Sequence, residues 1–251
     1  MSLPIAPIPS EDKPKDKRLM ELPYDLPKLP SNFAVLGRVG TGKTSCVYSL
    51  LKDGYVVNGK SIFMEIVCYI GNKESDKAFK DLPCDNVKVL HTFNLEAFDK
   101  YIEALRKRQL ERLEAKKHPL NVCLLFDDMA GVELLKKRKG KSPLASLLLT
   151  SRHELNCTVF FLSQIYKNQG FSTPMIRNNI TTWIIYNMSK PEAVKISEDH
   201  CNQYEPKEWM KTYEKAMSTP HNFIVIDYRR PLDIRISEQF DKPFQCVSME
   251  E

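Results

Sequence analysis

Phe33-Ala-Val-Leu-Gly-Arg-Val-Gly-Thr-Gly-Lys-Thr-Ser45 decides the fold. Phe33 to Leu36 read as a buried strand, and the run breaks directly into a loop carrying Gly37, Gly40 and Gly42. Gly37 to Thr44 matches the phosphate-loop pattern G-x-x-x-x-G-K-[ST]. Glycines let backbone N–H groups turn inward around phosphate oxygens without Cβ clashes. A helix starting behind the loop points its positive end at the same anion. Gly37, Arg38, Val39, Gly40, Thr41, Gly42, Lys43, Thr44 and Ser45 are therefore the candidate cradle for ATP. Lys43 is expected to reach the β- and γ-phosphates, and the Thr44 hydroxyl to ligand Mg2+.

A second stretch has the layout of a Walker B strand. Asn121-Val-Cys-Leu-Leu-Phe-Asp-Asp128 is an apolar run, as a parallel strand buried on both faces should be, and it ends in two carboxylates. Asp127 is expected to hold magnesium through water, and Asp128 to orient or deprotonate the attacking water. Asp128-Met-Ala-Gly131 has the D-x-x-G form of a GTPase, and Asn72-Lys-Glu-Ser75 resembles a guanine-reading N-K-x-D. Ser75 replaces the aspartate that grips guanine, and the segment precedes the acidic strand, so a GTPase is disfavoured.

Working outward, short apolar runs alternate with helical segments. Ser61–Ile70, Val87–His91, Cys157–Leu162, Thr181–Tyr186 and Asn222–Asp227 read as further strands. Helices are expected at Gly42–Lys52, Asn94–Lys117, Leu144–Leu155, Pro191–Cys201 and Pro206–Met217. The alternation predicts an α/β fold with a mainly parallel sheet covered on both faces. The long separation of Lys43 from Asp127 leaves room for extra strands, which fits a RecA-like, additional-strand P-loop sandwich of three layers. In that group a polar residue at the tip of the strand beside Walker B senses the γ-phosphate. Gln164, ending Phe160-Phe-Leu-Ser-Gln164, holds that place in the sequence.

Composition sets the frame. The 251 residues suffice for one large domain, and the net charge of +5 permits a nucleic-acid partner without requiring one. Residues 1–30 hold seven of the sixteen prolines among Lys, Asp and Glu, which predicts a flexible arm ahead of a domain at 31–240. Leu19, Met20, Leu22 and Tyr24 would be its anchors on a neighbouring subunit, and residues 241–251 read as a frayed tail. Seven cysteines without metal or redox spacing point to core thiols in a reducing compartment. No stretch has the form of a signal peptide or a membrane span, so a soluble intracellular protein is expected.

Gly37–Thr44, Phe126-Asp-Asp128, Ser151-Arg-His153 before a strand and Gln164 after it together resemble the FtsK–HerA superfamily of DNA-pumping ATPases. Within it the chain is most similar to the genome-packaging ATPases of poxviruses, other large DNA viruses and virophages. The resemblance covers roughly residues 31–190. It implies a homo-oligomeric ring, a pentamer or hexamer, that threads double-stranded DNA while hydrolysing ATP, with capsid proteins as candidate partners. It also implies a location in the virion or the host cytoplasm. Arg152 matches the arginine that acts in this family as a finger on the neighbouring subunit's γ-phosphate, with Arg177 in reserve. Many relatives place Glu where this chain has Asp128, which is one methylene shorter.

DNA contact is expected at Lys136, Lys137, Arg138, Lys139 and Lys141, a basic run with Gly140 inside it just after the Walker B carboxylates. Arg106-Lys-Arg108, Arg112 and Lys116-Lys117 are interleaved with Glu103, Glu111 and Glu114, and read as an exposed helix face. The rival reading from another class is an ATP-dependent switch or assembly factor that acts on a protein and moves no DNA.

Overall fold

The computed structural model describes residues 26–71, 76–127, 134–136, 142–166, 173–201 and 203–244. Along the chain run β1 (Asn32–Leu36), α1 (Lys43–Ser49), β2 (Val56–Val57), β3 (Lys60–Ser61), β4 (Glu65–Ile70), α2 (Asp76–Lys80) and β5 (Val87–Leu90). Then come α3 (Leu95–Glu114), β6 (Val122–Asp127), α4 (Pro143–Thr150), β7 (Cys157–Ser163), α5 (Pro174–Arg177) and β8 (Thr182–Ile185). The last are α6 (Lys190–His200), α7 (Pro206–Met217), β9 (Ile224–Asp227), β10 (Ile236–Glu238) and β11 (Lys242–Pro243).

Among the described residues the main sheet has nine strands in the order β11-β10-β9-β8-β1-β7-β6-β4-β5. The block from β8 to β5 is parallel, and β9, β10 and β11 add antiparallel strands at one edge. β7 lies between β1 and β6, which is the inserted strand expected of an additional-strand P-loop fold.

Alternate residues of each strand feed two cores. Ala34, Leu36, Leu124, Phe126, Phe161 and Trp183 meet α3, α4, α6 and α7 on one face, through residues such as Phe98, Leu148, Ile196 and Trp209. Phe33, Val35, Cys123, Leu125, Phe160 and Ile184 meet α1, the turn that follows it and α2 on the other, through Val47, Leu51 and Phe79. Both faces being covered is why these strands read as nearly continuous apolar runs. The result is the three-layer sandwich.

Several boundaries differ from the sequence expectation, each for a local reason. Ser61–Ile70 is not one strand. Asn58 and Gly59 take positive φ of 51° and 75°, which turns a small β2–β3 hairpin, and β4 starts only at Glu65. Glu65 is buried and is held by Lys88 Nζ at 3.0 Å and Arg108 Nη2 at 2.9 Å. Arg108 therefore anchors α3 to the sheet, whereas Lys107 pairs with Glu111 on the exposed face. The helix behind the P-loop ends at Ser49 and passes into a π-helical turn at Leu50–Gly54. α4 stops at Thr150, and the Ser151 hydroxyl donates to Asn32 Oδ1 at 2.8 Å.

Packing reaches back to Leu26, which with Leu29 lies against the second core, and the Tyr55 hydroxyl donates to the Pro27 carbonyl at 2.9 Å. Residues 1–25 of the expected arm, with its four anchors, lie outside the described residues. Beyond Asp241, where the tail was expected, Lys242 and Pro243 still pair with Glu238 and Ser237. Among the described residues no helix is long and apolar enough to cross a membrane.

Candidate nucleotide site and arginine edge

The strands deliver the expected motifs to one edge of the sheet. β1 ends at Leu36, and the Gly37 N–H continues the ladder by donating to the Ser163 carbonyl at 3.2 Å. A Cβ on Gly37 would stand 2.6 Å from Tyr186 Cβ and 2.7 Å from Thr41 Oγ1, so no larger residue fits there. Gly42 caps α1 with a φ of 102°, a conformation that favours glycine. The loop braces itself: the Thr41 hydroxyl donates to the Arg38 carbonyl at 2.8 Å, and the Arg38 N–H to the Asn187 carbonyl at 3.2 Å.

Lys43 Nζ donates to the carbonyls of Gly37 at 2.8 Å and Arg38 at 2.9 Å, which holds the ammonium over the loop. The Thr44 hydroxyl donates to Asp127 Oδ2 at 2.6 Å, joining residues 83 positions apart. Asp127 is buried at the end of β6, where its carbonyl accepts from the Gly71 N–H. A hydroxyl and a carboxylate converging beside a phosphate loop are hard oxygen ligands, and they fit magnesium, which keeps waters and phosphate oxygens as its other ligands. Gln164 is exposed just past the tip of β7, beside the strand end that carries Gly37. Asp128 lies outside the described residues, as do Asn72–Ser75 and Asp128–Gly131 of the GTPase comparison.

Beside the loop opens a cleft of about 710 Å³ whose polar end is Gly40, Gly42, Lys43, Thr44 and Ser45. Its far wall is aromatic: Tyr186 packs on Phe223 with centroids 5.2 Å apart, and Phe223 on Phe240 at the same spacing. His221 Nδ1, 3.3 Å from the Thr41 carbonyl, ties this wall to the P-loop. Cys46 also lines the cleft, and burial pushes its thiol up to about 11, so it stays protonated at neutral pH. Sequence reading missed Tyr186, His221, Phe223 and Phe240. They come from the residue after β8, the loop leading into β9 and the turn between β10 and β11, and no local motif marks them.

Arg152 and Arg177 stand at the opposite edge. Arg152 lies in the turn before β7, whose seven residues span roughly 20 Å to the P-loop edge. Arg177 ends the short helix α5 ahead of β8. Both line a second cleft of about 530 Å³ with Asn178, Thr181, Asp199, His200, Tyr228 and Arg229. Neither reaches its own P-loop. Arg177 Nη1 donates to Asp199 Oδ2 at 3.0 Å, and the Tyr166 hydroxyl to the same oxygen at 2.7 Å. Burial works against the Asp199 charge, but hydrogen bonds from Tyr166 and Lys195 and the charge of Arg177 outweigh it and hold the carboxyl below its usual range. Burial pushes His200 down to about 4, against the pull of Asp199. Since the Tyr166 proton goes to Asp199, the neutral His200 donates from Nε2 to Tyr166 and accepts the Tyr228 proton at Nδ1.

The family described as Poxvirus A32 protein matches residues 23–218. The chain belongs to that family. It is a P-loop ATPase. A32 membership covers both edges of the sheet, from the P-loop to Arg152 and Arg177. The fold is similar to the genome packaging NTPase B204 from Sulfolobus turreted icosahedral virus 2 in complex with AMP. That match has 15% identity and a TM-score of 0.55, covering 83% of this chain and 96% of that one. The pCW3 conjugation coupling protein TcpA, solved with ATPγS, is similar at 15% identity and a TM-score of 0.52, over 86% of this chain and 61% of that one. A search of curated proteins finds no match.

For this A32 chain the expected DNA-contact run is described only at Lys136, which is exposed; Lys137, Arg138, Lys139 and Lys141 lie outside the described residues. Six cysteines, Cys46, Cys68, Cys84, Cys123, Cys157 and Cys201, are free thiols, and four of them are buried in the core.

Proposed function

We propose that the protein is an ATP-hydrolysing motor that moves double-stranded DNA into a viral capsid, working as a homo-oligomeric ring of five or six copies. The observation that carries the hydrolytic half is the contact of Thr44 with Asp127 under a braced P-loop, at the mouth of a cleft that fits a nucleotide. Membership of the A32 family and likeness of fold to a genome packaging NTPase support the packaging half.

In this reading the backbone N–H groups of Gly40 to Thr44 cradle the phosphates, and Lys43 turns from the loop carbonyls to the β- and γ-phosphates. Magnesium held by Thr44 and Asp127 supplies charge neutralisation at the phosphates. Asp128 orients the attacking water and takes its proton, and Gln164 senses the γ-phosphate from the tip of β7. The base lies against the aromatic wall of Tyr186, Phe223 and Phe240. Arg152 acts on the nucleotide of the neighbouring copy, with Arg177 beside it. Their place on the edge away from the P-loop supports action in trans. Lys136, Lys137, Arg138, Lys139 and Lys141 grip the DNA backbone irrespective of sequence, as a motor requires. Capsid proteins are the proposed docking partners, and the virion or host cytoplasm the place of action.

The test is steady-state ATPase activity with and without linear double-stranded DNA, using Lys43→Ala as the blank. DNA of any sequence is expected to raise the rate, and neutralising Lys136 to Lys141 to remove most of that gain and flatten its salt dependence. Turnover indifferent to DNA overturns the motor in favour of a protein-coupled ATPase.

A further inference from the structure

The cleft at the arginine edge is more basic than its hydrogen bonds use. Its lining sets Arg152, Arg177 and Arg229 against one carboxylate, Asp199. Asp199 is already engaged: Arg177 and Tyr166 donate to Oδ2, and Lys195 pairs with Oδ1 at 3.1 Å. Arg229 donates from Nη1 to the Pro30 carbonyl at 2.9 Å, but among the described residues its Nε and Nη2 are buried without a partner, and so is Nε of Arg152. Asp227 is no substitute, since its Oδ1 accepts the Arg229 backbone N–H at 3.1 Å and its Oδ2 faces Arg230 Nε at 3.7 Å. Burial works against the Arg229 charge, the Asp227 and Tyr55 groups favour it, and Arg152 opposes it.

A buried charged donor without an acceptor is among the costlier arrangements a fold can hold. Guanidinium forks are shaped to give paired hydrogen bonds to a tetrahedral oxyanion. His200 is neutral, so it does not add to the charge. Resting on the phosphate-directed role given to Arg152 above, we propose that Arg229 joins Arg152 as a ligand and that together they make this cleft a site for a phosphoryl oxyanion. Such a group has two sources: a polyphosphate free in solution, or the terminal phosphate of a nucleotide carried by a second copy of this chain. Arg229 escapes sequence reading because nothing around Tyr228-Arg-Arg230 forms a motif, and only the packing of Pro30 and β9 brings it beside Arg152.

The site is separate from the P-loop, so its test runs in a Lys43→Ala background. Calorimetric titration with inorganic pyrophosphate at low ionic strength is expected to show binding that Arg229→Met weakens by about tenfold or more. Methionine keeps the apolar stem, and loss of an unpaired buried charge leaves the variant melting at or above its parent when no anion is added. Pyrophosphate is then expected to raise the melting temperature of the parent and not of the variant. Equal pyrophosphate affinity in parent and variant overturns the site. Should Arg229→Met not fold, Arg152→Gln is measured in the same way, and an unchanged affinity there overturns it too. Sedimentation with a non-hydrolysable ATP analogue, with Lys43 intact, separates the sources. Nucleotide-dependent association lost in Arg229→Met assigns the oxyanion to a second copy's nucleotide. Association kept while pyrophosphate binding is lost assigns it to solution polyphosphate.

Discussion

The P-loop edge and the arginine edge belong to the same six parallel strands, yet they are built in opposite ways. At the first, the nine residues of the proposed cradle are consecutive in the chain, Lys43 donates to two loop carbonyls, and the Thr44 hydroxyl is already joined to Asp127. At the second, Arg152 and Arg229 arrive from two turns and Arg177 from the end of α5, and among the described residues part of their hydrogen-bonding capacity is unmet. The first edge is equipped to enclose a ligand of its own chain. The second offers charge to something that comes from outside. In the proposed function, one polarised sheet would present a nucleotide site and its complement on opposite edges, the geometry a head-to-tail assembly needs.

Breaking the first edge has the largest effect. Lys43→Ala is expected to bring nucleotide turnover to background while the sheet stays folded, because the lysine lies on the P-loop, where it donates to the Gly37 and Arg38 carbonyls, and outside both cores. Normal turnover in that variant contradicts the site.

At the second edge the sharper probe is acid. His200 is held neutral with its pKa near 4, below the value of an unfolded histidine, so the unfolded chain takes up a proton that the folded chain refuses. This contribution is fully present above about pH 6.5 and is lost as the pH falls toward 4, on the order of 3 kcal/mol in all. Denaturant unfolding at several pH values is expected to show that slope, and His200→Gln to flatten it. The same acid slope in both proteins removes His200 as the sensitive group.

A smaller effect is expected at the aromatic wall of the first edge. Phe223→Ala should raise the KM for ATP about tenfold with little change in kcat, the signature of lost uniform binding. An unchanged KM places the base elsewhere.

The difference between the edges also explains what could be read without coordinates. The P-loop and Walker B strand are contiguous, and their chemistry forces particular residue types into particular places. Strand positions were legible because burial on both faces makes β1, β6 and β7 almost wholly apolar. What escaped notice depends on long-range packing. Tyr186, Phe223 and Phe240 become one wall only when β9 folds back beside β8, and Arg229 shares a cleft with Arg152 only because the turn after β9 packs on Pro30. The β2–β3 hairpin carried a local sign, Asn58-Gly59, hidden within what looked like a lead-in to a long strand. Arg108, taken for one of several surface charges on α3, proved to be the counter-ion of a buried Glu65, a pairing that helix periodicity does not reveal.

The most direct test of the two-edge account is a mixing experiment with two inactive proteins. Arg152→Ala is expected to bind ATP normally and to lose turnover by about 10³-fold or more, as removal of a trans-acting arginine does. Lys43→Ala keeps its arginine edge and lacks a working P-loop. Titrating one into the other should restore part of the wild-type rate, since each intact P-loop then meets an intact arginine edge on its neighbour. No recovery at any ratio, or loss of ATP binding by Arg152→Ala alone, would contradict the assignment of the two edges to one shared site.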